Sequence, residues 1–220
     1  MEILAGIETR QSIRAFKPTP IPRDVLKNIL KAASCSPSYT NTQPWEVAMV
    51  SGQKRNELTE LLLKLAREKA PGNTDIPRPA AWPAEIDARS REHGARRLAA
   101  LGVARDDEQG REKLRLGNFE FYGAPSAAFL FMDGSLGGWS IFDMGLFAQN
   151  LLLAAHAFGI GTCLQASVTS YASEIKKFLG LEESKKLIIG IAMGYPDEKA
   201  PLNSYRSVKR NPEGFTLWHE

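Results

Sequence analysis

Two short segments near the start of the chain carry residue types suited to a phosphate and to a polar ring. In the first segment, Arg10, Ser12 and Arg14 occur at alternate positions. Arginine suits a phosphate dianion because its planar guanidinium group donates to two oxygens at once. An extended segment places alternate side chains on one side, and a helix places residues four apart on one face. Either conformation predicts an anion site, although two arginines at this spacing also fit a solvated basic helix end.

The second segment, residues 37–45, is a polar loop that contains two prolines. It offers Ser38, Asn41 and Gln43 as hydrogen-bonding groups for the edge of a heterocycle. The prolines restrict the backbone and thereby preorganise the loop. Polar residues are common in loops, so these three side chains alone are a weak signal. The Pro-Trp pair and the strand that follow directly make the pattern more specific.

Other positions would complete such a site. Gln165 ends a predicted strand and would reach a bound ring, although a glutamine at the edge of the core is an equally good interpretation. Arg206 and Arg210 belong to a basic cluster that would close a phosphate site from the opposite side. Four aromatic residues could form one side of a ring site, although each would fit the hydrophobic core equally well. They are Trp82, Phe119, Phe121 and Tyr122.

Composition and motifs exclude several classes of function. The net charge of +3 is too small, and the basic residues are too dispersed, for a nucleic-acid-binding protein. Cys35 and Cys163 are the only cysteines and fit two buried thiols, with no disulfide framework and no metal site. The apolar stretch 144–161 is interrupted by polar residues and predicts a buried helix, so we expect a cytoplasmic protein without a membrane span. No metalloprotease, nucleophile-elbow, Walker or dinucleotide motif is found, which favours chemistry carried by a cofactor.

The elements that must position these residues alternate without the constant rhythm of a βαβ fold. Apolar spacing predicts helices at residues 3–9, 22–34, 58–66, 85–101, 107–117, 140–158 and 173–179, and strands at 45–50, 127–132, 162–166 and 186–194. We therefore expect one α+β domain, residues 1–220, with a mixed central sheet flanked by helices. The proline-rich excursion 71–118 predicts a lid over a site, or else a plain helical hairpin. Residues 197–220 predict a C-terminal arm that crosses to a second subunit or packs on its own sheet.

The two segments, together with Gly194-Tyr195-Pro196 after the last strand, resemble in order and spacing the FMN-binding signature of the nitroreductase family. The resemblance implies a nitroreductase-like flavoprotein fold and an intertwined homodimer with FMN at the interface. It implies phosphate and ribityl contacts from one subunit and ring contacts from the other. The first set is Arg10, Gln11, Ser12 and Arg14; the second is Pro37, Ser38, Tyr39 and Asn41. It also implies a C-terminal cation on the phosphate, which is Arg210 or, alternatively, Arg206.

The activity that this resemblance implies is hydride transfer from NADH or NADPH to nitroaromatic or quinone-type acceptors by a ping-pong mechanism. The flavin carries the chemistry, so no catalytic residue is expected from the chain itself. Trp82 is the expected substrate contact within the lid. Three alternatives stay open: reductive dehalogenation, oxygen-dependent fragmentation of FMN, and a flavin-binding redox module without turnover.

Overall fold

The computed structural model describes residues 2–219 and contains helices on both sides of one sheet. The helices of this described part are α1 (Ile3–Thr9), α2 (Arg23–Ala33), α3 (Gly52–Arg67), α4 (Ala84–Ala100), α5 (Glu108–Leu116), α6 (Gly138–Ala157) and α7 (Ala172–Leu179). The strands are β1 (Glu46–Ser51), β2 (Ser126–Asp133), β3 (Gly161–Gln165) and β4 (Lys185–Gly194). The predicted α+β fold is confirmed, and the predicted elements all form. Their ends shift by at most two residues, except that α3 begins at Gly52, six residues before the predicted start.

The four strands lie in the order β1-β2-β4-β3, and neighbouring strands are antiparallel. The sequence predicts a mixed sheet, but within residues 2–219 parallel pairing is limited to an isolated bridge between Ser12 and Thr162. The near-continuous apolar sequence of β2 gives no information on strand direction, because the sheet is covered on both faces. Phe129 and Phe131 point into one hydrophobic layer, and Leu130 and Met132 point into the other.

Helices α3 and α7 cover one face of the sheet, and helices α2 and α6 cover the other. Leu58 and Leu62 of α3 are fully buried against the first face. Ile29 of α2 and Leu151 of α6 are fully buried against the second. Burial of such side chains contributes about 1.5–3 kcal/mol each to the free energy of unfolding. The sheet is therefore a rigid platform for the segments that follow its strands.

Local signals fix the ends of several helices. Asp107 caps α5, because its carboxylate accepts from the backbone N–H of Gly110 at 2.8 Å. Pro22 is the N-cap of α2, so the helix begins at Arg23, one position after the predicted start. Gly180 ends α7 with a φ of 69°, a conformation that favours glycine. Cys163 is buried as expected, but Cys35 is exposed, since it follows the end of α2 at the start of a surface loop.

The excursion 71–118 begins with an extended segment that is firmly attached to the domain. The backbone N–H of Asn73 donates to the Ser170 carbonyl at 2.8 Å. Asp75 accepts from the ammonium group of the buried Lys176 at 3.3 Å and from the Leu187 N–H at 2.8 Å. Beyond this attachment, α4 and α5 contain no fully buried residue. The excursion is thus a fixed stem that carries two helices on the surface.

Two kinds of feature are absent from residues 2–219. No helix there is long and apolar enough to cross a membrane. No group of three or more histidine, cysteine, aspartate or glutamate side chains there is placed to hold a metal ion.

Candidate functional site

Residues 10–16 form an extended segment beside β3. Helix α1 ends at Thr9 because Arg10 has an extended backbone, with φ −57° and ψ 131°. The backbone N–H of Ile13 donates to the Thr162 carbonyl at 2.9 Å, and the Ile13 side chain is buried. Because alternate side chains of an extended segment face opposite ways, Ser12 and Arg14 lie on the other side from Ile13. Of the two conformations that the sequence allows, the structure has the extended one.

A cavity of about 270 Å³ opens on that side of the segment. Its lining combines the N-terminal segment with the C-terminal arm and one residue of α4: Glu8, Arg10, Gln11, Ser12, Arg14, His93, Tyr205, Arg206, Ser207 and Lys209. Four cations and one carboxylate therefore surround the space. All four residues predicted to contact phosphate and ribityl are brought together here.

The two alternative C-terminal arginines occupy different places. Arg206 lines the cavity and donates to the Thr9 carbonyl at 2.9 Å, so it lies beside the end of α1. Arg210 lines a neighbouring groove, donates to the Gly214 carbonyl and lies over the Phe215 ring, 5.5 Å from its centroid. The structure therefore brings Arg206, and not Arg210, together with Arg10 and Arg14 within this chain.

Asn203, which the sequence analysis missed, connects the arm to the N-terminal segment. Its side-chain amide donates to the carbonyls of Ala15 at 2.9 Å and Asp197 at 2.8 Å. Its side-chain oxygen accepts from the Arg14 N–H at 2.6 Å. Its backbone carbonyl accepts from the Gln11 side chain at 3.2 Å. A single asparagine in a polar tail gives no signal of this kind, because all the partners are set by the tertiary fold.

Burial and the cations around the cavity lower the pKa of two nearby histidines. Burial lowers the pKa of His93, and the charges of Arg14, Arg97 and Lys209 lower it further. Burial likewise lowers the pKa of His156, together with Arg10 and Arg206. Both imidazoles are therefore neutral at pH 7 and add no cation to the site.

Two side-chain atoms of the segment are buried without a partner in the described part of the chain. They are Oε1 of Gln11 and Nε of Arg14. Buried polar atoms in proteins nearly always have a hydrogen-bonding partner. A phosphate in the cavity would accept from Arg14 Nε, a ligand hydroxyl would donate to Gln11 Oε1, and the excess of arginine and lysine matches a phosphate. The residues present thus fit the phosphate end of FMN.

The second predicted segment forms an exposed loop with an unusual backbone. Thr40, Asn41 and Gln43 have φ values of 47°, 59° and 49°, the left-handed region that side chains with a Cβ rarely adopt. The Ser38 hydroxyl accepts from the Gln43 N–H at 3.0 Å and closes the loop. The loop presents Pro37, Tyr39 and Asn41 to solvent. Three of the four predicted ring contacts are therefore exposed, and the fourth, Ser38, is half-buried between Pro37 and Tyr39.

Helix α6 holds this loop in place through three side chains. Both carboxylate oxygens of Asp143 accept from the Tyr39 N–H, at 3.1 and 3.2 Å. The Trp139 ring stacks on the Tyr39 ring with centroids 5.6 Å apart. The amide of Asn150 donates to the Ser36 hydroxyl at 2.8 Å. Nothing in the sequence of an apolar helix indicates these contacts.

The two predicted halves of the site lie at opposite ends of α6. Asp143 holds the loop near the start of the helix, and His156 contacts the Thr9 hydroxyl at 2.9 Å near its end. The rise of 1.5 Å per residue puts these two positions about 20 Å apart along the axis. None of the residues predicted for the ring edge lines the cavity that contains the residues predicted for phosphate.

Gln165 and the aromatic candidates are placed differently from the cationic residues. The Gln165 side chain is buried and donates to the Asn118 carbonyl at 2.7 Å, as a core-edge glutamine would. Phe119 and Phe121 belong to the core, and the Tyr122 hydroxyl donates to Asn118 at 2.9 Å. Trp82 is exposed over 55% of its surface and belongs to none of these contacts. The roles of Gln165 and Trp82 in ligand binding therefore stay predictions.

A larger cavity of about 540 Å³ lies under the excursion. It opens between residues 14–16 and helix α5, and its apolar lining includes Leu101, Leu114 and Tyr122. Arg14 lines this cavity as well as the cationic one. The two spaces are therefore neighbours on either side of one arginine.

Comparison with known proteins identifies what this arrangement resembles. The profile described as "Nitroreductase family" matches residues 7–195. Nitroreductase NfnB of Mycolicibacterium smegmatis is 37% identical over 201 residues, which cover 91% of this chain and 85% of that protein. The 4-nitrobenzoate reductase of Pseudomonas putida is 34% identical over 212 residues, which cover 96% of this chain and 93% of that protein.

A solved structure shows that the similarity extends to the fold. The crystal structure of the FMN-dependent nitroreductase NfnB from Mycobacterium smegmatis in complex with NADPH superposes with a TM-score of 0.94. The superposition covers 99% of this chain and 97% of that one, at 34% sequence identity.

Proposed function

This chain belongs to the nitroreductase family, and from that premise we propose that it is an FMN-dependent oxidoreductase that uses NADH or NADPH to reduce nitroaromatic or quinone-type acceptors. The observation that carries the proposal is the cationic cavity formed by Arg10, Arg14, Arg206 and Lys209. Relatives that match nearly the whole chain are a nitroreductase and a 4-nitrobenzoate reductase. A cytoplasmic location, where both nicotinamides are available, is part of the same proposal.

The chain's own residues would act by binding and orientation. Arg10, Arg14 and Arg206 would hold the phosphate, with Ser12 donating its hydroxyl. When bound, FMN supplies the hydride chemistry, accepting from the nicotinamide and then donating to the acceptor. A ping-pong sequence follows, since both substrates would use the same face in turn.

We propose that the site is completed in a homodimer. The phosphate and ring residues lie about 20 Å apart along α6, so a twofold axis near this helix would bring the loop of one subunit to the cavity of the other. Apolar side chains that one chain leaves exposed support this arrangement. They are Ile3, Leu4 and Ile7 of α1, Trp139 and Phe142 of α6, and Phe215, Leu217 and Trp218 of the arm. Large exposed patches of apolar side chains are normally covered by another molecule.

We also propose that the single domain 1–220 uses its excursion 71–118 as a lid and residues 197–220 as an arm onto the partner. The apolar cavity of about 540 Å³ under the excursion supports the lid, because it suits an aromatic acceptor. His93 of α4 contacts the Tyr205 hydroxyl at 3.1 Å, so the lid and the arm already touch beside the cationic cavity. Trp82 remains the proposed acceptor contact.

No observation favours reductive dehalogenation over this function. Dehalogenation of an aromatic amino acid would need charged side chains in the lid that bind the zwitterionic substrate. Glu85, Arg89 and Arg91 could do so only if they were not paired within the helix. In α4, Glu85 lies 3.9 Å from Arg89, and Asp87 pairs with Arg91, all on the exposed surface. These pairs are ordinary solvated helix charges.

The purified protein tests the proposal directly. We expect a yellow protein that releases FMN on denaturation and oxidises NADPH only when a nitroaromatic such as 4-nitrobenzoate is added. Arg10→Ala should be folded and colourless, and should regain flavin only at high FMN concentration, because a charge-assisted hydrogen bond contributes about 1.5–3 kcal/mol. If the parent protein is colourless as purified and binds no added FMN, every flavin function is refuted. Bound FMN without NADPH oxidation would leave only a binding module.

A further inference from the structure

Asp143 is a buried carboxylate that the proposed reaction does not use directly. Only 2% of its surface is exposed, although it lies in the mainly apolar helix α6. Among residues 2–219, no basic side chain lies within ion-pair distance of it. Its hydrogen-bonding partner is the Tyr39 N–H, at 3.1 and 3.2 Å from the two oxygens. A buried charge with so little compensation is unfavourable for folding, so stability does not explain its presence.

The peptide that Asp143 binds is the one that begins the strained loop. The Tyr39 N–H belongs to the Ser38–Tyr39 peptide, whose carbonyl accepts from the Asn41 N–H at 3.0 Å. Both polar atoms of this peptide are therefore fixed. Thr40 and Asn41 follow immediately with positive φ values. Since each of these conformations is unfavourable on its own, contacts from outside the loop must maintain them.

The other contacts of the loop are weaker constraints on this peptide. The Tyr39 and Trp139 rings stack, but both are more than half exposed. Asn150 holds Ser36, three residues earlier in the chain. Asp143 alone makes a charge-assisted hydrogen bond to the backbone between Ser38 and Asn41. Such bonds are stronger than neutral ones and fix the donor more narrowly.

We propose that Asp143 is a positioning residue for the flavin ring. It orients the Ser38–Tyr39 peptide so that the side chains of Ser38 and Asn41 face a ligand at the loop surface. This inference rests on the proposed FMN function. The buried charge then increases the affinity for FMN, although it lowers the free energy of unfolding.

Asp143→Leu separates these two roles. Leucine has the same branched shape, with two methyl groups in place of the carboxylate oxygens, and suits a buried position in α6, so the apoprotein should melt at the parent temperature or above it. We expect its FMN dissociation constant, measured by titrating apoprotein with FMN, to rise at least tenfold. Amide hydrogen exchange at Tyr39 should accelerate in the same variant, because its N–H loses its acceptor. Asp143→Asn, whose amide oxygen still accepts, should show a smaller rise, of several-fold.

Asp133→Ala is the matched control. Asp133 also accepts from a backbone N–H, that of Ser135 at 2.9 Å, but in the turn after β2. Its removal should leave the FMN dissociation constant unchanged. Parent-like FMN affinity in Asp143→Leu would overturn the inference; if that variant fails to fold, parent-like affinity in Asp143→Asn overturns it instead. Failure of the parent chain to bind FMN would refute the proposed function itself, which is a different result.

Discussion

Replacing Asn203 by alanine tests whether the arm and the N-terminal segment form one site. The change removes three side-chain hydrogen bonds, with the Arg14 N–H and the carbonyls of Ala15 and Asp197. At about 1 kcal/mol each, the loss is about 3 kcal/mol in the free energy of unfolding. For a chain of this size, that corresponds to a fall of roughly 6–12 °C in Tm. Because the Arg14 backbone loses its anchor, FMN affinity should fall as well.

The assay is a thermal melt of apoprotein followed by an FMN titration. Ser204→Ala is the control: its hydroxyl also donates to a backbone carbonyl, that of Pro201 at 2.8 Å, but it is exposed and lies outside the segment contacts. We expect the control to stay within about 0.5 kcal/mol of the parent protein. If Asn203→Ala melts together with the control and binds FMN as the parent does, Asn203 does not connect the two segments and the reasoning is refuted.

Three further outcomes are expected. Arg206→Ala should raise the FMN dissociation constant about tenfold or more, whereas Arg210→Ala should change it little; the reverse order in fluorescence titrations would return the phosphate contact to Arg210. Deleting the residues after Pro212 should weaken both dimerisation and flavin content, and a truncated chain that stays dimeric and yellow at micromolar concentration would contradict the arm. Trp82→Ala should change kcat/KM for nitroaromatics several-fold at unchanged FMN content, since an aromatic contact contributes about 0.5–1.5 kcal/mol; identical kinetics across acceptors would remove Trp82 from the site.

Local patterns in the sequence were sufficient to predict most of the fold. The apolar spacing of α2 and α3 and the continuous apolar run of β2 identify buried elements, because burial depends on periodicity that the sequence displays directly. The direction of strand pairing has no such signature when both faces of a sheet are covered. The conformation of residues 10–16 was also open, and it is decided by the pairing of Ser12 with Thr162, far away in the chain.

The groups that position the site could not be predicted for a related reason. Asn203 accepts from an N–H 189 positions away, and Asp143 accepts from one 104 positions away. Sequence reasoning identifies residues whose type suits a ligand, such as Arg10 and Arg14. It does not identify polar residues whose only partners are backbone groups brought near by the tertiary fold. The sequence therefore reveals the predicted binding segments, but it does not reveal the residues that hold those segments in place.

The absence of fully buried residues in α4 and α5 affects how this protein can change over evolutionary time. Apart from Leu116 of α5, which packs against one hydrophobic layer, the residues of these helices lie outside both layers, so most substitutions there have little effect on stability. Yet α4 places His93 in the wall of the cationic cavity, and α5 places Leu114 in the wall of the apolar one. The stem at Asp75 keeps the excursion attached while its surface varies. In the proposed function, selection for new acceptors can therefore act on these two helices almost independently of selection for a folded domain.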